Sequence, residues 1–107
     1  MPRWLPRLLR RIHELAGRGR VRLTLKAVRE LAALSAGLDV EDACDVLAAL
    51  SAADFADRFE SQHTGEWMYV FKPSVAGTLV YLKLVLRAEC VVISFHEDED
   101  EADEERS

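Results

Sequence analysis

At 107 residues, half of them apolar and 31% charged, the chain has the composition of one small globular domain and no room for two. Its apolar stretches fall short of the roughly 18–20 residues a membrane span needs, and charges interrupt the apolar pairs of MPRWLPRLLRR, so neither a membrane segment nor a signal-peptide core is expected. The net charge of −5 is uneven, with nine Arg or Lys against two Glu in residues 1–30 and eight acids against one Arg in residues 97–107.

Leu5, Leu8, Leu9, Ile12, Leu15 and Ala16 recur at the spacing of one buried helical face, and Gly17 and Gly19 stop that helix. Val21–Leu23 predicts a short strand. Thr24 then caps a second helix with Leu25, Val28, Leu31 and Ala32 inward and Gly37 as its terminator. Asp39 caps a third, with Val40, Ala43, Cys44, Leu47 and Ala48 on one face and Glu41 and Asp42 favourably placed in its first turn. Ser51–Asp54 redirects the chain.

From about Phe55 the period changes to that of strands. GEWMYVFKP (65–73), TLVYLKLVLR (78–87) and CVVISF (90–95) are β-branched and aromatic runs joined by connections too short for anything but antiparallel hairpins. The fold class is therefore α+β: three N-terminal helices packed on a twisted antiparallel sheet of about four strands. Residues 1–96 form the single domain. The run EDEDEADEERS (97–107) cannot bury enough surface to fold and reads as a disordered acidic tail, beside the site described next and able to repel phosphates there.

Alternation places Val80, Leu82, Leu84 and Leu86 on one face of the middle run and Tyr81, Lys83, Val85 and Arg87 on the other. Met68, Val70, Lys72, Ser94 and His96 join the second, open face. A histidine that moves protons near neutral pH, a tyrosine that holds an oxygen and lysines that counter charge suit phosphodiester chemistry. The bland alternative makes Lys83 and Arg87 solubility charges of a wet sheet face. His13 reads as a solvated surface residue, His63 as a loop bystander and Cys44 as a small core hydrophobe. Cys90 reads as inert, and Trp67, Tyr69 and Phe71 as core packing rather than base stacking. Two cysteines and three histidines without a CxxC exclude a disulfide scaffold and a self-contained zinc ribbon, and place the chain in the cytoplasm. Without a phosphate-binding glycine loop, a nucleophile elbow or a paired metal-ligand motif, no cofactor is expected.

Three stretches carry a resemblance to a known family. GLDVEDACDVLAALSAADF (37–55), EWMYVFKP (66–73) and the pair VYLKL (80–84) with VVISFHE (91–97) resemble the MqsR toxins of bacterial type II toxin–antitoxin systems, from about Arg18 to Glu97. The resemblance implies a RelE-like fold and metal-independent cleavage of messenger RNA. It also implies a cognate antitoxin with a zinc-binding domain and a helix-turn-helix domain. The family's tyrosine falls on Tyr81, its lysine after the Ser-Phe pair on His96, its glutamine on Met68, and its lysine after the Asp-Phe pair on Asp57, next to Arg58. The expected reaction is attack of a ribose 2′-OH on the adjacent phosphate. His96 is the candidate general acid or base, Tyr81 orients the phosphate, and Lys83, Lys72 and Arg58 offset transition-state charge. The losses at Met68 and Asp57 support an alternative, a weakened or inactive RNA-binding or protein-binding module on the same fold.

Overall fold

The computed structural model describes residues 1–34 and 37–98. The six apolar residues of the first stripe are all buried along helix α1 (Leu5–Gly17). Strand β1 (Val21–Leu23) leads into α2 (Leu25–Ala33), capped by Thr24, whose hydroxyl accepts from the Ala27 N–H at 3.2 Å. Helix α3 (Val40–Ala48) opens on a capping box in which Asp39 and Asp42 exchange side-chain-to-backbone bonds of 2.9 and 3.0 Å. After one 3-10 turn (Ala52–Asp54) come β2 (Phe55–Glu60), β3 (Trp67–Phe71), β4 (Ser74–Val75), β5 (Thr78–Leu86) and β6 (Cys90–Glu97).

The α+β architecture matches expectation, and the sheet is mixed rather than purely antiparallel. Its order is β1-β6-β5-β3-β2, with the short β4 paired to β5. The hairpins β2–β3, β3–β5 and β5–β6 are antiparallel, whereas β1 runs parallel to β6. The rule that short connections join antiparallel neighbours says nothing about β1 and β6, which most of the chain separates. β2, polar and mostly exposed, forms the far edge.

The core fills one face of the sheet. Leu5, Ile12 and Leu15 of α1, Leu31 of α2 and Leu47 of α3 meet Phe71, Val80, Leu82, Leu84, Val92 and Phe95. Each such side chain contributes about 1.5–3 kcal/mol by leaving water. Helix α2 is rotated from its expected orientation: Ala27 and Leu31 are buried, while Leu25 and Val28 are 66% and 39% exposed. The capping Thr24 is held against β6, and that fixes the helix face. Val40 is likewise exposed on α3, and Cys44 is half-buried. His13 is not a solvated residue: it is half-buried, and its Nε2 donates to the Leu50 carbonyl at 2.7 Å, tying α1 to the chain after α3.

Strand β6 carries one extra residue. Ser94 lies opposite Lys83 and Val92 opposite Leu84, which leaves Ile93 as a bulge. Val92 and Phe95 consequently both face the core, while Ser94 and His96 both face away from it. The bulge lies just where β1 ends, and α2 closes the edge there. The Thr24 N–H donates to the Val92 carbonyl at 3.0 Å, and its hydroxyl to the Ile93 carbonyl at 3.3 Å. Glu30 accepts from the Phe95 N–H at 3.1 Å.

β6 runs through Glu97, the Asp98 N–H donates to the Leu79 carbonyl at 2.8 Å, and the Asp98 carboxylate, 4% exposed, meets Lys72 Nζ at 3.4 Å. The rest of the expected acidic tail, residues 99–107, lies outside the described residues.

Thr24 thus caps a helix and closes a sheet edge with one hydroxyl. Thr24→Ala is expected to lower unfolding stability in urea by about 1–2 kcal/mol, the loss of a cap and a second hydrogen bond. Leu25→Ala, one position on and exposed, should change it by less than about 0.5 kcal/mol. Equal effects of the two substitutions would refute the latch.

Candidate active site

The face turned away from the core is built by register. Tyr81 of β5 lies opposite His96 of β6, and Lys83 opposite Ser94 one step along. The Tyr81 and His96 rings stack nearly parallel, 11° apart in plane with centroids at 5.1 Å. His96 Nδ1 donates to the Glu97 carbonyl at 2.8 Å, which leaves Nε2 as the ring nitrogen for an incoming group. A cleft of about 340 Å³, lined by Glu30, Ala33, Leu34, His96 and Glu97, opens beside this ring.

Ser94 is the buried polar residue of the face, at 2% exposure. Its hydroxyl accepts from Lys26 Nζ at 3.0 Å, and the same ammonium pairs with Glu30 at 3.0 Å. Lys26 from the α2 side and Lys83 from the β5 side therefore flank Ser94, with His96 and Tyr81 in the next row. Sequence alternation could not find Lys26, because it lies on a helix; a Lys-x3-Glu pair otherwise reads as an ordinary surface ion pair.

Of the five residues expected at the site, His96, Tyr81 and Lys83 come together. Lys83 also leans over the Phe59 ring of β2, with Nζ 5.9 Å from its centroid. Lys72, half-buried, is engaged by the Asp98 carboxylate at the end of β6. Arg58 is not brought to the group. It pairs in register with Tyr69, on the core-side face, and its guanidinium lies between the Trp4 and Trp67 rings, 4.2 and 4.0 Å from their centroids. Trp67 is correspondingly not a core residue, at 44% exposure, although Tyr69 and Phe71 do pack inward. Arg87, also placed on the open face, is held in a bidentate pair with Glu66 at 2.8 and 2.9 Å.

Met68 stands on the open face opposite Val85, and Asp57 opposite Val70. The cysteines do not contribute a nucleophile: burial pushes the Cys90 thiol up to about 12, and burial with Asp45 and Glu41 raises that of Cys44. Among the described residues no three His, Cys, Asp or Glu side chains converge as a metal-binding group, and no helix is long and apolar enough to cross a membrane. Chemically, the arrangement offers an imidazole nitrogen, a phenol and two ammonium groups on one face of the sheet.

Over residues 7–97 the sequence matches the family described as motility quorum-sensing regulator, toxin of MqsA. It is also 34% identical over 91 residues, 83% of this chain and 90% of the other, to the mRNA interferase toxin MqsR of Escherichia coli (strain K12).

Glu30 links the helix to the site and titrates accordingly. Burial pushes its carboxyl pKa up, but the Phe95 N–H, Lys26 and the charge of His96 outweigh that and hold it below the ordinary 4.5. A carboxylate with a depressed folded pKa stabilises the fold above its unfolded value, and that contribution is lost as pH falls through the folded value. Glu30→Gln should therefore melt lower than wild type at pH 7 and show a shallower loss of stability below about pH 4.5. Parallel acid limbs for the two proteins would show that Glu30 is not the group responsible.

Proposed function

The chain belongs to the MqsR toxin family, and we propose that it is a toxin endoribonuclease that cleaves mRNA without a metal at the Tyr81–His96 pair. The single observation that carries the reading is that pair: an imidazole stacked on a phenol, with Nδ1 fixed by its own chain and Nε2 left for substrate.

The chemistry follows from the atoms. A ribose 2′-OH attacks the adjacent phosphorus, the 2′-O–P bond forms, and the P–O5′ bond breaks. Neutral His96 takes the 2′-OH proton through Nε2, or protonated His96 gives one to the leaving 5′ oxygen. Tyr81 orients the phosphate. Charge accumulates on the non-bridging oxygens in the transition state, where Lys83 and Lys26 can offset it across Ser94. Lys72 acts at longer range because Asp98 already engages it. Arg58 has no part in this step, since it lies on the opposite face.

The family is described as the toxin of MqsA, and we read the partner as a restraining antitoxin with a zinc-binding domain and a helix-turn-helix domain, the pair acting in the cytoplasm. A second reading, a binding module without catalysis, is favoured by Met68, which offers no amide on the open face, and by the acid Asp57 beside Val70.

One experiment separates the two. Wild type incubated with single-stranded RNA in chelator should yield fragments with 5′-OH ends. His96→Ala and Tyr81→Phe should slow cleavage, the first by about 100-fold or more, as expected for losing a general acid or base. RNA that stays intact with wild type, or is cut equally well by His96→Ala, would overturn the catalytic reading.

A further inference from the structure

The core-side face carries a second set of cationic and aromatic groups at the rim of the sheet. Arg58 is sandwiched between two indoles, Trp4 and Trp67, and Trp4 rests in turn on Phe55 and Tyr69 at 5.3 and 5.9 Å. Trp67 keeps 44% of its surface in water. Trp4 immediately precedes α1, so the sandwich runs straight into the exposed side of that helix. There Arg7, Arg10, Arg11 and the C-capping Arg18 fall on one stripe, and Arg3 lies in the turn just ahead of the helix. Arg11 and Arg18 are paired to Glu14, at 3.1 and 3.4 Å.

Arg3, Arg7 and Arg10 make no ion pair among the described residues. They do not serve the helix either. No acid occupies the first turn of α1, and basic groups near a helix start oppose its dipole. These three guanidiniums, unpaired among the described residues and two of them about 4.5 Å apart along the helix axis, are left for something outside the chain.

This surface is joined to the cleavage face around one strand. Arg58 and Phe59 are neighbours on β2, the edge of the sheet, and they point to opposite faces. Phe59 lies under Lys83, and a cleft of about 420 Å³ lined by Phe59, Met68 and Glu60–His63 sits at that edge. A strand leaving His96 would pass Lys83 and Phe59, turn the β2 edge and reach the indole sandwich. Alternating stacking surfaces and cations are what single-stranded nucleic acid binds.

We propose that Trp67, Arg58 and Trp4, continued by Arg3 ahead of α1 and by Arg7 and Arg10 on it, form a second RNA-binding site for the single-stranded segment flanking the cleaved bond. The proposal rests on the ribonuclease reading above and adds a track remote from its chemistry. Bases stack on the open side of Trp67, and the arginines of α1 neutralise successive phosphates.

The chain has two tryptophans, and both lie in the sandwich, so intrinsic emission reports the site directly. The probe is a fully 2′-O-methylated 15-nucleotide RNA, which lacks the attacking hydroxyl. Wild type should show saturable quenching that Trp67→Leu largely abolishes. The double variant Arg7→Gln/Arg10→Gln, altered on the helix surface, keeps both indoles. It should bind about 5- to 10-fold more weakly at low salt, with a salt slope smaller by about 1.4, two phosphate contacts at about 0.7 each. Unchanged emission at saturating RNA, or a double variant with wild-type affinity and slope, would overturn the track. Cleavage of a trinucleotide in chelator is measured in parallel. Its failure would overturn the ribonuclease reading and leave the binding result to judge this site.

Discussion

Ile93, the extra residue of β6, sets which side chains of that strand meet which face. With strict alternation after Val92, Ser94 would point into the core and Phe95 out of it. The bulge reverses the alternation for the last four residues. Phe95 then fills the core opposite Leu82, and His96 reaches the face that Tyr81 already occupies. A bulge leaves backbone groups unpaired and bends its strand, so it persists only where neighbours supply the missing bonds. Here α2 supplies them, through the Thr24 hydroxyl to Ile93 and the Glu30 carboxylate to Phe95. The latch that stabilises the bulge also delivers Lys26 to Ser94. Fold and candidate site are therefore built together: the helix that closes the edge brings a cation to the face that carries Tyr81 and His96.

The two sides of the sheet divide the electrostatic work. Around His96 the cations are few and held, Lys26 by Glu30 and Ser94, and Lys72 by a nearly buried Asp98. Such fixed groups can stabilise charge that appears only in a transition state. On the other side the arginines of α1 are exposed, the arrangement suited to long-range attraction of a polyanion, which salt screens. At the β2 edge, Phe59 and Arg58 face opposite ways from adjacent positions, one toward each side.

Local patterns made much of this legible. The α1 stripe, the Thr24 and Asp39 caps, and the facing of Tyr81, Lys83 and Met68 follow from a period or from the chemistry of one side chain. What escaped depends on contacts between distant segments. The parallel pairing of β1 with β6 spans most of the chain. The inward face of α2 is set by Thr24 on β6, so Leu25 and Val28 turn outward against their hydrophobicity. Arg58 resembles a site cation in sequence because it is basic and follows Asp57. One step of strand register puts it on the wrong side, between two indoles. Simple alternation puts His96 on the open face although the bulge is invisible in sequence, because alternation run backwards from it errs at Cys90 and Val92 instead, both of which are core.

The central claim is that the group at position 96 moves the proton, and the pH–rate profile of cleavage addresses it most directly. His96→Lys restores a cation of similar reach whose ammonium titrates several units above an imidazole. Wild type and His96→Lys would be compared on one single-stranded RNA in chelator at fixed ionic strength. The account predicts that the limb belonging to position 96 moves to higher pH in the lysine variant, while Lys83→Ala lowers the rate without moving it. Superimposable profiles for wild type and His96→Lys would contradict it.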